Sequence, residues 1–155
     1  MTLVTKKLFI KKEASNVILL KQVGEALGSY SMDREDIKQS MQVIMKVTED
    51  VKKGKNFLIF PEGTRNRNAE GTVLDFKGGS FKIATKSGCP IIPMAISNSA
   101  AIWENHLPFM KRTHVILEYG KPIYPNELSK EEQKHLGAYC QKGIQAMLDK
   151  NKDLV

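Results

Sequence analysis

Six consecutive residues, Phe60-Pro61-Glu62-Gly63-Thr64-Arg65, set a carboxylate, a glycine, a hydroxyl and a guanidinium side by side. They follow the apolar run Phe57-Leu58-Ile59, which reads as a buried strand. Polar groups clustered behind a buried strand are how α/β proteins build sites at strand ends. Arg65 presents a planar fork of donors matched to a pair of phosphate oxygens. Gly63 permits a positive φ and a close approach of backbone to a ligand. Thr64 can donate to a phosphate or fix the turn internally, and Glu62 can orient Arg65 or bond a substrate hydroxyl. By themselves these residues also suit a solvated turn carrying a surface ion pair.

The elements that must position this turn can be read from periodicity. Residues 2–5 and 29–33 are expected as short strands, and 16–27 as a helix closed by Gly28. Residues 35–53 form the clearest helix, with Ile37, Met41, Ile44, Thr48 and Val51 at helical spacing, the methionines as core filler and Gly54 as the stop. Residues 56–60 are a strand, 61–75 a long loop, and 78–87 a helix with a glycine-rich start whose free N–H groups, with Lys77, could face an anion. Strands are expected at 91–96 and 113–119. The stretch between them is unusually apolar and is either packed into the core or in contact with lipid. Ser129 and Glu132 make a capping box for the last helix, whose packing face is Leu136, Cys140, Ile144 and Met147. Strands alternating with helices argue for an α/β fold.

With 155 residues the chain is long enough for one domain, 1–155, with a real core. The net charge of +7 suits an anionic partner: a phosphate head group, an acidic lipid surface, coenzyme A or nucleic acid. Nucleic acid has only the charge in its favour, because no aromatic-and-basic surface motif accompanies it. Cys89 and Cys140 lack metal-ligand spacing and read as reduced, buried thiols in a cytoplasmic setting. No run of 18 apolar residues predicts a transmembrane helix.

The 60–65 run resembles the glycerolipid acyltransferase family, which includes the lysophosphatidic acid (1-acyl-sn-glycerol-3-phosphate) acyltransferases. Other segments extend the resemblance. Gly28-Ser29-Tyr30-Ser31-Met32-Asp33-Arg34 is similar to the family's block of a glycine, a short strand and an arginine. Leu74-Asp75-Phe76-Lys77-Gly78-Gly79-Ser80-Phe81 resembles the segment that packs beneath the phosphate loop and opens a helix. Ile91-Ile92-Pro93-Met94-Ala95-Ile96 resembles a proline-interrupted buried strand, and Thr2-Leu3-Val4-Thr5-Lys6-Lys7 a strand-plus-lysine segment, with Leu8 where a glutamate is usual.

The resemblance implies a mixed, largely parallel sheet flanked by helices, with its site at one sheet edge. It implies transfer of a fatty acyl group from acyl-coenzyme A or acyl-carrier protein to lysophosphatidic acid in phospholipid synthesis, with no metal or redox cofactor. Arg65 would hold the acceptor phosphate, with Lys6 as a second phosphate partner. Arg34 would lie near the acceptor or pair with Asp33 or Glu35, and Glu62, Gly63 and Thr64 would shape the loop. The setting implied is peripheral, on the cytoplasmic face of a membrane.

The family's chemistry rests on a histidine followed five positions later by an aspartate, the histidine acting as base on the acceptor hydroxyl. Here His106 is followed at that distance by Lys111, His114 by Tyr119 and His135 by Cys140. No catalytic residue is therefore assigned. The chain is expected to be the C-terminal part of an acyltransferase domain, incomplete at its N-terminus, inactive alone, and prone to self-association through uncovered apolar surface. A non-catalytic phosphate- or phospholipid-binding module is the alternative.

Overall fold

A computed structural model of the chain describes residues 6–11, 22, 28–32, 36–64, 66, 71–102 and 104–155. The chain groups into two units, Met1–Pro61 with Gly78–Cys89, and Glu62–Lys77 with Pro90–Val155.

The first unit carries three parallel strands, β1 (Lys6–Lys11), β2 (Tyr30–Met32) and β3 (Asn56–Leu58), in the order β2-β1-β3. The first half of β1 pairs with β3, Lys6 opposite Asn56, and its second half pairs with β2, Lys11 opposite Met32. The segments expected as a strand at 2–5 and a helix at 16–27 lie outside the described residues, apart from the single helical residue Gln22.

Helix α1 (Ile37–Lys52) begins two residues later than expected, where Asp36 accepts a bond from the Gln39 N–H at 2.9 Å, covering a donor that the first turn leaves open. Gly54, at φ 85°, turns the chain out of the helix and into β3. The core of this unit is Val43, Val47 and Ile83, with Tyr30, Ile44, Val51, Phe57 and Ile59 packed around them. The expected packing face is corrected in part. Ile44, Thr48 and Val51 do face inward, but Ile37, Met41 and Met45 are exposed, so these methionines are not core filler. The buried stripe instead runs through Val43 and Val47, one turn apart, which pack with Ile83.

Asp50 fastens the helix end to the sheet. Its carboxylate accepts from the Tyr30 hydroxyl at 3.1 Å and from Lys55 Nζ at 2.7 Å. The expected helix at 78–87 is a 3₁₀ turn (Gly78–Phe81) running into α2 (Lys82–Ser87), closed by Gly88 at φ 72°.

The second unit holds an antiparallel pair, β4 (Met94–Ser97) and β5 (Ile116–Tyr119), with Met94 opposite Tyr119. β4 starts later than expected because Pro93 has no N–H to give a ladder. Ile91 keeps only an isolated antiparallel bridge to Ile123. The last helical region is two helices, α3 (Lys130–Lys134) and α4 (Leu136–Asn151), separated at His135. The Ser129–Glu132 capping box forms as expected. So does the packing face, with Leu136 and Cys140 buried and Ile144 and Met147 half-buried. Glu118 of β5 accepts from Lys150 Nζ and Asn151 Nδ2, each at 2.7 Å, which ties the pair to α4. The chain is thus α/β, with its parallel and antiparallel strands in two separate sheets among the described residues.

Candidate functional site

The polar run begins where β3 ends. In a parallel sheet the carboxyl ends of the strands leave backbone groups and loops free to meet a ligand, and the run occupies that position. Gly63 is buried at φ 77°, a conformation costing roughly 1–2 kcal/mol for a residue with a Cβ. Thr64 is exposed. Arg65 lies outside the described residues, and so does Arg34.

Glu62 is half-buried, and its Oε2 accepts from the Leu74 backbone N–H at 3.0 Å. The carboxylate therefore closes the loop on itself, joining its first residues to its last. A second clasp lies inside the loop, where Asn66 Nδ2 donates to the Thr72 carbonyl at 2.7 Å. A third comes from α4: the Gln145 amide donates to the Gly71 carbonyl at 2.7 Å and accepts from the Val73 N–H at 3.2 Å. A side-chain amide bonded to two backbone groups in this way acts as a short length of strand. Sequence reasoning missed Gln145, which looks like one more polar residue on a solvated helix face. Its amide type is the only signal, since a lysine or glutamate could not both donate and accept.

The register places Lys6 level with Asn56, at the amino end of β1 and five residues ahead of Pro61. Lys11 ends β1 opposite Met32, at the carboxyl edge of the sheet.

None of the histidines is set up as a buried base. His106 Nδ1 lies 3.0 Å from the Ala101 carbonyl, which can only accept, so that nitrogen carries the proton. His135 Nε2 is 3.3 Å from Glu131 Oε1 in an exposed pair one helical turn apart. His114 is exposed. Both cysteines are free, Cys140 buried and Cys89 half-buried, and burial pushes the Cys140 thiol up to about 11. No helix among the described residues is long and apolar enough to cross a membrane.

Residues 4–97 match the family model described as Acyltransferase. The chain is 33% identical over 128 residues to a 1-acyl-sn-glycerol-3-phosphate acyltransferase of Saccharomyces cerevisiae, covering 82% of this chain and 41% of that protein. It is 32% identical over 114 residues to the protein of the same name from Salmonella typhimurium, covering 73% of this chain and 45% of that one. Among solved structures it is similar to the 1-acyl-sn-glycerophosphate (LPA) acyltransferase PlsC of Thermotoga maritima. There the TM-score is 0.76 at 25% identity, over 96% of this chain and 57% of the other. The chain thus spans less than half the length of the two curated relatives.

Proposed function

The chain belongs to the acyltransferase family, and from that premise we propose that it forms the acceptor-binding part of an enzyme acylating lysophosphatidic acid. The acyl group would come from a thioester of coenzyme A or acyl-carrier protein. The acceptor hydroxyl oxygen attacks the thioester carbonyl, a C–O bond forms, the C–S bond breaks, and the hydroxyl proton leaves with the thiol. The products are phosphatidic acid and the free thiol, and no metal or redox step is needed.

The observation that supports this reading most is the placement of the 60–65 run. It is a clasped turn at the carboxyl end of a parallel strand, with Gly63 at a positive φ. Arg65 then holds the acceptor phosphate with two parallel bonds, and Glu62 keeps the turn in shape through Leu74. Thr64 donates a further bond from the exposed side of the turn. Arg34, directly after β2, is a further cation for the same phosphate. Lys6, the first of three lysines on β1, is the second phosphate partner in this reading. The acceptor is a lipid, so the protein works peripherally at a membrane surface, on the cytoplasmic side.

No histidine in the sequence has an aspartate five residues on, and among the described residues none of the three is held by a buried carboxylate. The chain alone accordingly binds acceptor without turning it over. The same observation favours a second reading, a phosphate- or phospholipid-binding module without chemistry. The test is an acyl-transfer assay of the purified chain with lysophosphatidic acid and a long-chain acyl-coenzyme A, run beside a calorimetric titration of lysophosphatidic acid. Binding without turnover is expected. Robust turnover would show that another group serves as base, and absence of binding would remove the acceptor site itself.

A further inference from the structure

The segment between β4 and β5 resolves the alternative posed by its sequence, because its apolar tip is not packed inside. Leu107, Phe109 and Met110 are 63%, 76% and 77% exposed. Lys111 and Arg112 follow directly, both exposed, and neither forms an ion pair among the described residues. An aromatic, two long aliphatic side chains and two cations thus share one projecting turn.

The turn is held from beneath by backbone. The Lys111 N–H donates to the Ile102 carbonyl at 2.9 Å, and the Phe109 N–H to the His106 carbonyl at 2.8 Å. The Thr113 hydroxyl and His106 Nδ1 both reach the Ala101 carbonyl, each at 3.0 Å. These bonds fix the base of the loop while its apolar residues stay in solvent. Exposing three large apolar groups costs roughly 1.5–3 kcal/mol each relative to burial, which a free-standing loop has no reason to sustain. An open groove of about 460 Å³ adjoins it, lined by Ser99, Ala100, Ile102, Glu104 and Met110, and Met110 at its edge stays 77% exposed.

We propose that the 107–112 turn docks the protein on an anionic lipid bilayer, with Leu107, Phe109 and Met110 entering the interface and Lys111 and Arg112 pairing with lipid phosphates. Charge complementarity selects this partner. The chain carries a net +7, and two cations adjoining an apolar tip match the head-group layer that lies just above the acyl chains. A second copy of the chain is the poorer occupant. In a two-fold contact between tips, Lys111 and Arg112 would meet their own copies and repel. The inference rests on the lipid-acceptor reading for its choice of a membrane as partner, and it assigns that role to residues outside the 60–65 turn.

Co-sedimentation of the full chain with phosphatidylcholine vesicles, with and without phosphatidylglycerol, tests it. Wild type should bind only the anionic vesicles, less tightly at high salt. Neutralising both cations (Lys111→Gln with Arg112→Gln) should weaken binding on the order of thirtyfold, from roughly fivefold per surface cation. Phe109→Ser with Met110→Ser should weaken it at least as much, and all four positions are exposed, so thermal melts of the variants should match wild type. Vesicle binding that is unchanged in both variants overturns the proposal. So does a tip variant that abolishes self-association in light scattering while leaving vesicle binding intact. The vesicles contain no lysophosphatidic acid. Loss of vesicle binding by wild type with retained lysophosphatidate binding would therefore sink the docking surface and spare the acceptor site.

Discussion

Replacing Glu62 separates two roles that its position in the 60–65 turn allows. Its carboxylate accepts from the Leu74 N–H at 3.0 Å and is half-buried. A hydrogen bond to a charged partner contributes roughly 1.5–3 kcal/mol net, and partial exposure brings the expectation here to about 1–2 kcal/mol. Glu62→Ala removes the acceptor and leaves the Leu74 N–H to water, so it should cost that whole amount. In a chain of this size this is a fall in Tm of roughly 2–8 °C. Glu62→Gln keeps an acceptor oxygen at neutral strength and should lose no more than about 1 kcal/mol. The assay is thermal melting of the three proteins, followed by titration with lysophosphatidic acid. If Glu62 acts as a clasp, the glutamine variant keeps its affinity and the alanine variant loses it. If its charge instead orients Arg65, both variants lose affinity alike. An alanine variant as stable as wild type would refute the reasoning, because the bond would then contribute nothing to the loop.

Other outcomes follow from neighbouring contacts. Gln145→Leu removes both amide bonds to the 71–73 segment and should cost about 1–2 kcal/mol, seen as a lower Tm and faster proteolysis within the 61–75 loop. Cys140, held neutral by burial with its pKa raised from 9.0 to about 11, should resist a disulfide reagent at pH 8 that labels Cys89. Its contribution to stability is whole below pH 9 and is lost as pH rises toward 11, which alkaline denaturation of Cys140→Ala against wild type would detect. Bonds from Lys150 and then Asn151 hold the Glu118 carboxyl below its ordinary 4.5. What it adds to stability is therefore present above that value and lost as pH falls through the lowered one. Lys150→Met should raise the Glu118 midpoint in an NMR titration.

The sequence was most readable where one local rule decides an outcome. Gly54 closes α1 as expected, and Ser129 with Glu132 opens the last helical region, because caps act within one turn of chain. Helix orientation was less readable. Ile37 and Met41 share the spacing of Ile44 and Val51, yet the buried stripe turns toward Val43 and Val47. Which of two adjacent apolar stripes faces inward depends on what packs against the helix, here Ile83, Tyr30 and Phe57, and that is a tertiary matter. β4 and β5 came out shorter than expected at their amino ends, β4 because Pro93 has a carbonyl that accepts from Gly120 but no N–H to donate. At the site, the 60–65 run was legible as a turn with a positive-φ glycine, because only a few residue types permit that backbone. The bond from Leu74 to Glu62 and the clasp by Gln145 were not, since they join residues 12 and more than 70 positions apart with no pattern to announce them.

The account turns on a guanidinium reading a phosphate. Calorimetric titration of the chain with lysophosphatidic acid and, separately, with a monoacylglycerol that lacks the phosphate measures this directly when repeated on Arg65→Lys. Lysine keeps the charge and loses the two-pronged geometry, a change of roughly 1–3 kcal/mol, or about five- to 150-fold in Kd. The predicted result is measurable lysophosphatidate binding by wild type, a loss of that size in Arg65→Lys, and negligible binding of the monoacylglycerol by either protein. Equal lysophosphatidate affinity in the two proteins, or monoacylglycerol bound as tightly as lysophosphatidate, would contradict it.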